Sequence, residues 1–514
     1  MIFKGATAEY LNRPLRNLNE MKNWSAATLD RKLAKLRPKP TFITEPRLHQ
    51  KACFLSLIKL PHNMQLLDMG LGKTKLVLDA FRWLKSANKI KRILVLVPNV
   101  VNIEAWRLEV AKHAPDLTVS YLSGMKEDRQ EALFDETDIC VGTYSGLMHL
   151  VCSKQPKTKM RIDDKKLSQT QKLFDGIVWD EITQLMNHRS LNSKIAVKLS
   201  KKYKFRVGLT GTPIGRDPQV LWSQFYAVDG GKALGPTLGL FRQAFFTSKK
   251  NYWGGVDYKF KTKLSKKLHR LMAHSSIRYS SEECLDLPPL VTVDRPVAMT
   301  DEMWTYYHAI LDQAKDFKSG NKLIDVEGIF VRLRQITSGF VSVEGKPSPL
   351  AKNPKLEALL ELIDELPSNE KLVVFNEFVW SGDQIVYELK RRKIKSARLY
   401  SGVRDKCGQL RRFMEDPACQ VFVVNSQSGA QGLNLQMAHY VCYYESPVRP
   451  IVRQQSIARC RRQGQKETVF AYDLFCKNTV DQKILRYLAE GKDLFDALVE
   501  GGVKILQNCG RLRS

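Results

Sequence analysis

The sequence predicts an α/β chain with two parallel-sheet blocks and helical insertions between them, and three observations lead to that prediction. Short, almost wholly apolar runs alternate with amphipathic stretches at helical spacing over residues 46–228. The same alternation resumes after residue 349, and helical and basic material separates the two blocks. Parallel strands are covered by helices on both faces, so they form continuous apolar runs rather than alternating patterns.

The elements predicted for the first block follow a basic N-terminal segment. Residues 1–44 carry nine basic side chains against three acids, and we expect them to form an arm or linker. Beyond this segment, apolar runs predict strands and the 3.6-residue spacing of apolar side chains predicts helices. In chain order these are helix 75–84, strand 92–97, helix 103–111 and strands 139–141, 177–179 and 207–209.

The middle of the chain breaks this rhythm before the second block begins. Glycine-rich turns and a basic, aromatic-rich stretch at 249–270 come first, and residues 299–340 have helical spacing. The glycine and proline residues of 344–349 predict a linker. The second block is predicted to contain helix 356–366, strand 372–375, helix 385–392, strands 421–424 and 439–444, and a final helix over 480–498.

Composition and charge limit the class of protein. Of the 514 residues, 43% are hydrophobic and 26% are charged, which is near the average of globular chains. The longest apolar runs have strand length, far below the roughly 20 residues that a membrane helix needs. No apolar signal segment occurs in the first twenty residues and no Cys-x-x-Cys pair occurs among the ten cysteines. We therefore expect a soluble, unexported protein with reduced thiols and no zinc site.

The net charge of +29, from 82 basic and 53 acidic residues, is the least ordinary property of the chain. Such an excess favours a polyanionic partner, because lysine and arginine release condensed counterions when they neutralise phosphates. A generally basic, solvated surface is the alternative.

The strongest local signal is Met69-Gly70-Leu71-Gly72-Lys73-Thr74, between an apolar strand and a predicted helix. Backbone amides of such a turn bind phosphates, the lysine reaches the β- and γ-phosphates, and the threonine hydroxyl binds Mg²⁺. The eight-residue form of this pattern has a glycine where this chain has Leu67. A glycine-rich turn without a ligand is the alternative interpretation.

Two adjacent acids, Asp180 and Glu181, end the predicted strand at 177–179. Carboxylates at the carboxyl end of a parallel strand lie where an α/β sheet exposes its ligand site. Asp180 can hold Mg²⁺ through water while Glu181 polarises the attacking water. A solvated strand end is the alternative, and the presence of Lys73 upstream makes a nucleoside triphosphatase the better interpretation.

A third signal is the basic stretch at 455–465, which begins at Gln455. Arg459 and Arg462 are three residues apart, and we expect them to share one face of a helix. Arginines presented to a nucleotide from a second lobe stabilise transition-state charge and contribute about 10³- to 10⁵-fold in rate. A basic helix face that binds phosphate backbone or water is the alternative.

Together these motifs resemble those of the SWI/SNF-type ATPases of helicase superfamily two, over roughly residues 45–480. The resemblance implies roles for residues in three groups. The residues expected to bind ATP are Arg47, Gln50, Gly70, Leu71, Gly72, Lys73, Thr74, Gly432 and Gln455. The residues expected to be catalytic are Lys73, Glu181, Arg459 and Arg462. Mg²⁺ is expected to be held by Thr74 and Asp180. The residues that couple hydrolysis to nucleic acid are Asn99, Thr143, Tyr144, Thr210, Thr212, Asn376, Ser428 and Asn434.

This resemblance also implies an architecture and an activity. The expected domains are a basic N-terminal arm (1–44), an ATP-binding RecA-like lobe (45–228), a helical and basic insertion region (229–345), a second RecA-like lobe (346–480) and a C-terminal helix and tail (481–514). The expected activity is ATP-dependent translocation on double-stranded DNA, with ATP hydrolysed in the cleft between the lobes. DNA is contacted mainly through phosphates, with little sequence preference, and a DNA-bound protein is a possible object of displacement.

Two departures from the family pattern affect these expectations. The acidic motif continues as Ile182-Thr183, where the family has a histidine at the second position, so the efficiency of coupling is in question. Residues 214–216 also differ from the usual Gln-Asn. The short chain suggests a compact bacterial, archaeal or viral member in the cytoplasm of the cell or infected host, rather than a nuclear protein.

Other functions stay open at this stage. A strand-separating or annealing helicase on DNA or RNA would carry the same motifs, and Thr183 allows a nucleic-acid-binding scaffold with a decayed ATPase. A nuclease is a weaker alternative, because no paired-metal carboxylate cluster stands apart from the ATP motifs. Lysines between 249 and 267 provide either further backbone contacts or a solvated insertion. Oligomeric state cannot be inferred from the sequence, and no membrane partner is expected.

Overall fold

The computed structural model describes residues 2–153, 160–211, 213, 217–250, 255–316, 322–429, 433–462, 464–491 and 494. For residues 2–6, 314–316, 322–326, 428 and 429 it describes the backbone alone. The chain divides into two compact units, Met1–Leu285 and Asp286–Ser514, which we describe separately. Among the described residues, no helix is both long and apolar enough to cross a membrane.

Unit 1 contains a seven-stranded sheet in the order β11-β1-β8-β7-β2-β4-β3, and all its neighbouring strands are parallel. Its strands are β1 His62–Leu67, β2 Ile93–Val97, β3 Val119–Leu122, β4 Ile139–Thr143, β7 Gly176–Asp180, β8 Phe205–Thr210 and β11 Ser276–Tyr279, and the short pairs are β5 Cys152–Ser153 with β6 Arg161–Ile162 and β9 Phe246–Lys250 with β10 Val256–Phe260. Its α-helices are α1 Ile2–Asn12, α2 Ala26–Ala34, α3 Leu48–Lys59, α4 Lys73–Ser86, α5 Val100–His113, α6 Lys126–Phe134, α7 Tyr144–Val151, α8 Asp164–Lys172, α9 Leu191–Ser200, α10 Val220–Asp229, α11 Leu238–Phe245, α12 Ser265–Met272 and α13 Ser281–Cys284, with 3-10 helices at Leu18–Asn23, Ile182–Leu185 and Thr262–Leu264.

Helices cover both faces of this sheet, as the apolar runs predict. In β2, Ile93, Val95 and Val97 belong to one buried cluster, whereas Leu94 and Leu96 belong to another. Successive side chains of a strand point to opposite faces, so a strand that is apolar at every position has a core on each side. The predicted α/β class is confirmed for this unit.

The chain after residue 229 contributes to unit 1 in a way that the sequence did not indicate. Strand β11 adds to the edge of the sheet beside β1, with Met64 opposite Ser276 and Leu67 opposite Tyr279. An edge strand pairs on one side only, and this one is four residues long with an exposed arginine, Arg278, so it lacks the apolar run of a central strand. The predicted insertion region 229–345 is thus divided, with residues up to 285 in unit 1.

The N-terminal segment lies against unit 1 over the part that the structure describes. Arg13 donates hydrogen bonds to the carbonyl oxygens of Lys232 and Ala233, and the Leu18 amide donates to Ala273 O at 2.8 Å. The Trp83 indole of α4 donates to Pro38 O at 2.8 Å. These contacts anchor the basic segment at several points along its length.

Unit 2 contains a six-stranded sheet in the order β12-β19-β18-β15-β17-β16, again with parallel neighbours. Its strands are β12 Leu290–Val297, β15 Leu372–Asn376, β16 Ser396–Leu399, β17 Val421–Asn425, β18 Tyr440–Tyr443 and β19 Val469–Cys476, and β13 Phe340–Val343 and β14 Lys346–Pro349 form a separate hairpin. Its helices are α14 Asp301–Asp316, α15 Lys322–Thr337, α16 Pro354–Glu365, α17 Val379–Arg391, α18 Lys406–Glu415, α19 Ser426–Gly429, α20 Pro450–Ile457 and α21 Val480–Ala489. The second predicted parallel-sheet block is confirmed.

Two expectations for unit 2 are wrong in detail. The predicted linker at 344–349 is largely strand β14, joined to β13 by a two-residue turn at Glu344 (φ 50°) and Gly345 (φ 77°). Positive φ at both turn residues is the geometry that suits a tight hairpin, and proline is tolerated because β14 needs only one bonded edge. The final helix ends at Ala489, and Gly491 (φ 67°) follows in the left-handed conformation that commonly terminates helices.

Candidate functional site

The glycine-rich loop between β1 and α4 has the backbone conformation of a phosphate-binding turn. Gly70 (φ 83°) and Gly72 (φ 78°) are both left-handed, and Gly72 immediately precedes the first residue of α4. A Cβ on Gly72 would lie 2.4 Å from Gln50 Nε2, and the positive φ of this residue is strained for any side chain, so glycine is strongly favoured there. The free amides of the helix N-terminus face the loop and provide the donors that an anion needs.

The Lys73 ammonium lies over the end of β1. Its Nζ donates to Leu67 O at 2.8 Å and to Asp68 O at 3.4 Å. Thr74 follows it in the first turn of α4. These two carbonyl groups hold the ammonium beside the loop in which the phosphates are expected. A bound phosphate would replace them as the partner of Lys73.

The residues expected on the adenine side also support the loop. Gln50 Nε2 donates to Leu71 O at 3.2 Å, and Gln50 Oε1 accepts the Arg47 amide at 3.0 Å. A ring nitrogen of His49 lies 3.1 Å from the same Leu71 oxygen. Burial lowers the pKa of His49, which keeps the imidazole neutral near pH 7. The start of α3 is therefore hydrogen-bonded to the centre of the phosphate loop.

The opposite side of the loop is held by residues that sequence reasoning missed. The Ser281 amide donates to Asp68 Oδ2 at 3.0 Å, and its hydroxyl donates to Met69 O at 3.3 Å. The Asp68 amide donates to Tyr279 O at 3.2 Å. Ser281 lies 213 residues from Asp68, in a stretch with no recognisable motif, so no sequence signal identifies this contact.

The acidic pair lies at the carboxyl end of β7, as predicted. Asp180 Oδ2 accepts the Trp106 indole N–H at 2.8 Å, and Asp180 Oδ1 accepts the Glu181 amide at 3.0 Å. Burial raises the pKa of the Asp180 carboxyl, whereas the bond from Trp106 and the charge of Lys73 lower it. Because only β8 separates β1 from β7, the phosphate loop after β1 and the acidic pair at the end of β7 lie at the same edge of the sheet.

Glu181 is oriented by two threonine hydroxyls. Its Oε1 accepts Thr183 Oγ1 at 2.7 Å and Thr210 Oγ1 at 3.0 Å, and its backbone is left-handed (φ 48°). Because β1, β8 and β7 are neighbours in the sheet, the carboxyl ends that carry Lys73, Thr210 and Glu181 meet at one edge. Left-handed backbone at a residue other than glycine costs about 1–2 kcal/mol, and strain of this kind is common at functional sites.

The donor set fits Mg²⁺. This ion prefers oxygen ligands and is usually held by one or two protein groups together with substrate phosphates. The Asp180 carboxylate and the Thr74 hydroxyl provide such oxygens beside the phosphate loop. No group of three or more His, Cys, Asp or Glu able to hold a metal occurs in the described part of the chain, so a metal cage made of protein alone is not found there.

The predicted coupling residues of unit 1 cap helices or contact the acidic pair. Asn99 Oδ1 accepts two amides of the first turn of α5, and Thr143 Oγ1 accepts the Gly146 amide at the start of α7. Tyr144 is buried and its hydroxyl donates to Asp180 O at 3.0 Å. Thr212 lies outside the described residues.

The predicted site residues of unit 2 are only partly described. Asn376 is buried at the end of β15 and its Nδ2 donates to Phe378 O at 2.7 Å. Asn434 Oδ1 accepts the Gln436 amide at 3.4 Å, and Gln455 lies in α20. Ser428 belongs to α19 with its side chain undescribed, and Gly432 lies outside the described residues.

The expectation that Arg459 and Arg462 share a helical face is wrong. Helix α20 ends at Ile457, and i-to-i+3 bonds of turn type follow it, such as that from the Arg459 amide to Ser456 O at 3.2 Å. Both arginines instead contact residues 433–435, which precede β18. Arg459 O accepts the Leu435 amide at 3.1 Å, and Arg462 Nη1 donates to Leu433 O at 3.5 Å.

Unit 1 has a strand followed by a glycine loop and a helix, and an acidic pair at the same edge of the sheet on the second strand from it. These features define unit 1 as the nucleotide-binding unit of a P-loop triphosphatase. The model of the SNF2-related domain matches residues 49–338, more than half of the chain, and that of the helicase conserved C-terminal domain matches residues 354–464. The chain belongs to the SNF2-related family of ATP-dependent helicases and ATPases, which confirms the resemblance drawn from its motifs.

Relatives of this chain and solved structures similar to it are also named as ATP-dependent helicases or ATPases. An uncharacterized ATP-dependent helicase of Mycoplasma genitalium is 26% identical over 441 residues, which cover 83% of this chain and 39% of the relative. An ISWI chromatin-remodeling complex ATPase of Saccharomyces cerevisiae is 23% identical, covering 81% and 37%. The chain thus spans about two fifths of the length of these relatives. The Sulfolobus solfataricus SWI2/SNF2 ATPase core in complex with dsDNA is 21% identical, with 93% and 99% covered and a TM-score of 0.40.

Proposed function

We propose that this chain is an ATP-dependent translocase that moves on double-stranded DNA, contacts it mainly through phosphates and requires ATP and Mg²⁺. One observation carries the proposal: two helices capped by expected coupling residues, Asn99 and Thr143, are both bonded to Asp180. Helix α5, capped by Asn99, carries Trp106, which donates to the Asp180 carboxylate. Helix α7, capped by Thr143, begins with Tyr144, which donates to the Asp180 carbonyl. A shift of either helix on DNA therefore alters the catalytic edge directly.

The residues of unit 1 support hydrolysis in specific ways. Lys73 binds the β- and γ-phosphates once it leaves the carbonyls of Leu67 and Asp68. Glu181, with one oxygen held by Thr183 and Thr210, orients the attacking water with its other oxygen. Bound Mg²⁺, held by Thr74 and Asp180, would supply charge neutralisation of the phosphates. Arg459 and Arg462 are proposed to add positive charge in the transition state.

Duplex DNA is favoured as the track by two considerations. The charge of +29 suits a polyanion that is bound without sequence preference. A relative in this family is the ATPase of a chromatin-remodeling complex, and chromatin contains duplex DNA. A strand-separating helicase remains the second candidate, since the same catalytic residues serve both activities. A decayed scaffold is disfavoured by the intact hydrogen bonds of Glu181.

The experiment is steady-state ATP hydrolysis without nucleic acid and with single-stranded DNA, duplex DNA or RNA. We expect the strongest stimulation by duplex DNA, decreasing as salt is raised. Glu181→Gln should abolish hydrolysis, whereas Glu136→Gln, an exposed carboxylate outside the catalytic edge, should hydrolyse ATP like the native chain.

Displacement assays then separate the candidates. A translocase removes a triplex-forming third strand from duplex DNA, whereas a strand-separating helicase displaces a paired strand next to a 3′ tail. Displacement of the paired strand alone would refute the translocase. Equal hydrolysis by the native chain and Glu181→Gln would refute the enzymatic role of this edge.

A further inference from the structure

A segment of nine residues, 281–289, runs from the start of α13 to the start of β12 and crosses the boundary between the two units after Leu285. We call it the connecting segment. Its first residue, Ser281, contacts the phosphate loop within unit 1, and Pro288 contacts the turn that carries the predicted catalytic arginines within unit 2. The two contact residues are seven positions apart in the sequence. The proposed function gives neither contact a role.

The first contact fixes the backbone that leads into the phosphate loop. The Ser281 amide donates to Asp68 Oδ2 at 3.0 Å, and the Ser281 hydroxyl donates to Met69 O at 3.3 Å. One residue thus holds two consecutive residues immediately before Gly70. Because Ser281 is the first residue of α13, a displacement of this helix displaces the backbone that enters the loop.

Helix α13 is held as one body in unit 1. Ser280 and Glu283 form a capping box: the Ser280 amide donates to Glu283 Oε2 at 3.0 Å, and the Ser280 hydroxyl accepts the Glu283 amide at 3.3 Å. Lys22 Nζ donates to the same carboxylate at 3.0 Å. Cys284 and Leu285 pack against the buried apolar cluster on this side of the sheet. The short helix therefore moves with the connecting segment rather than unwinding from it.

The second contact lies beside the predicted catalytic arginines. Arg461 Nε donates to Pro288 O at 2.8 Å, and the Arg461 amide donates to Ile457 O at 2.9 Å, at the end of α20. Arg461 stands between Arg459 and Arg462 in the sequence. The Pro288 carbonyl thus holds the turn that carries both arginines.

The chain between the two contacts is short and stiff. Three residues, 285–287, separate the end of α13 at Cys284 from Pro288. Proline fixes φ near −65°, and the second proline of a Pro-Pro pair also restricts the first to extended conformations. The Val469 amide donates to Pro289 O at 3.0 Å, so this proline is fixed where β12 begins to pair with β19. A displacement at one contact is therefore passed to the other rather than absorbed.

We propose that Ser281 and Arg461 are positioning residues of the ATPase and that the connecting segment joins them, so that a shift of the phosphate loop on nucleotide binding changes the placement of Arg459 and Arg462. The inference rests on the proposed function, in which these two arginines add positive charge in the transition state. Ser281 and Arg461 do not touch ATP in this proposal, and each acts through the group that it holds. Hydrogen bonds joined by stiff backbone carry coupling of this type between two sites.

The variants break each contact while preserving charge and local backbone. Ser281→Pro removes both donors of Ser281, and proline suits the first position of a helix whose preceding residue, Ser280, is extended (φ −92°, ψ 160°). Arg461→Lys keeps the positive charge but lacks the guanidinium Nε donor. Ala26→Pro is the matched control, because Ala26 is exposed at the first position of α2 and its preceding Ser25 is also extended (φ −63°, ψ 159°).

The first measurement is binding of a fluorescent ATP analogue. We expect Ser281→Pro to bind it about tenfold more weakly, because a hydrogen bond to a carboxylate and one to a carbonyl are lost. Ser281→Thr, which keeps both donors, and Ala26→Pro should bind it like the native chain. Native-like binding by Ser281→Pro, or an equal loss in Ala26→Pro, overturns the inference. If circular dichroism shows that Ser281→Pro is unfolded, Ser281→Ala, which removes the hydroxyl alone, replaces it.

The second measurement is kcat at saturating ATP for Ser281→Pro, Arg461→Lys and the double variant. We expect each single variant to lower kcat about fivefold, the equivalent of one hydrogen bond, and Arg461→Lys to keep native affinity for the analogue. The double variant should lose no more than either single variant, because breaking one end already breaks the connection. A loss of about 25-fold, the product of the two single losses, shows independent sites and overturns the inference.

Failure of the proposed function gives a different result. If the native chain does not hydrolyse ATP, or if Glu181→Gln hydrolyses it at the native rate, the proposed function fails and the inference fails with it. Independent losses in a chain that hydrolyses ATP, and in which Glu181→Gln does not, overturn the inference alone.

Discussion

The bond between Trp106 and Asp180 offers the sharpest test of how the catalytic edge is held. Trp106→Phe keeps an aromatic ring in α5 but removes the N–H that donates to Asp180 Oδ2 at 2.8 Å. The indole is 1% exposed, so water does not replace the lost donor without rearrangement. A hydrogen bond to a charged group contributes about 1.5–3 kcal/mol, and leaving a buried acceptor unsatisfied has a similar cost.

Trp179 provides a matched control for the packing part of this change. It is also 1% exposed, and its indole N–H has no hydrogen-bond partner among the described residues. Trp179→Phe therefore removes a similar volume without removing a bond. Because Trp179→Phe also removes a buried donor that has no partner, the difference between the two variants in free energy of unfolding is an upper bound on the contribution of the bond. We expect Trp106→Phe to be less stable than Trp179→Phe by about 2 kcal/mol.

The assay is urea-induced unfolding followed by circular dichroism, together with the Mg²⁺ dependence of binding of a fluorescent ATP analogue. We expect Trp106→Phe to need more Mg²⁺ for half-maximal binding than Trp179→Phe, because the carboxylate proposed to hold the ion is no longer fixed by the indole. Equal losses of stability and equal Mg²⁺ dependence in the two variants would show that Trp106 contributes packing only.

Two other predictions concern Glu181 and helix α13, whose first residue, Ser281, holds the phosphate loop. Thr210→Val should lower kcat for ATP about tenfold with little change in KM, because one of the two donors that orient Glu181 is lost; a similar loss of affinity for ATP would contradict this role. The pKa of Glu283 is lowered, first by the Ser280 amide and then by Lys22. A lowered folded pKa means that this carboxylate stabilises the fold above its usual pKa of about 4.5 and that the contribution is lost as the pH falls through the folded value. Glu283→Gln should therefore unfold more easily than the native chain at pH 7 by less than about 1 kcal/mol, with the difference disappearing in acid; a difference that persists at pH 2 would refute it.

Local sequence determined the central strands and the phosphate loop. A strand such as β2 is apolar at every position, and this pattern fits only a sheet covered on both faces. Gly70 and Gly72 indicate left-handed backbone, and Asp180 directly follows an apolar run. In each case the information lies within a few consecutive residues, where sterics and burial act on the chain itself.

Only the tertiary structure decided what supports that site. The contacts of Ser281 with the phosphate loop and of Trp106 with Asp180 join residues far apart in the chain, and neither residue has a local pattern that names its partner. Strand β11 and the turn that carries Arg459 likewise depend on neighbours rather than on periodicity. Hydrogen bonds between distant side chains form only after parallel strands have brought their carboxyl ends to one edge, so their geometry is a property of the folded sheet and not of any segment.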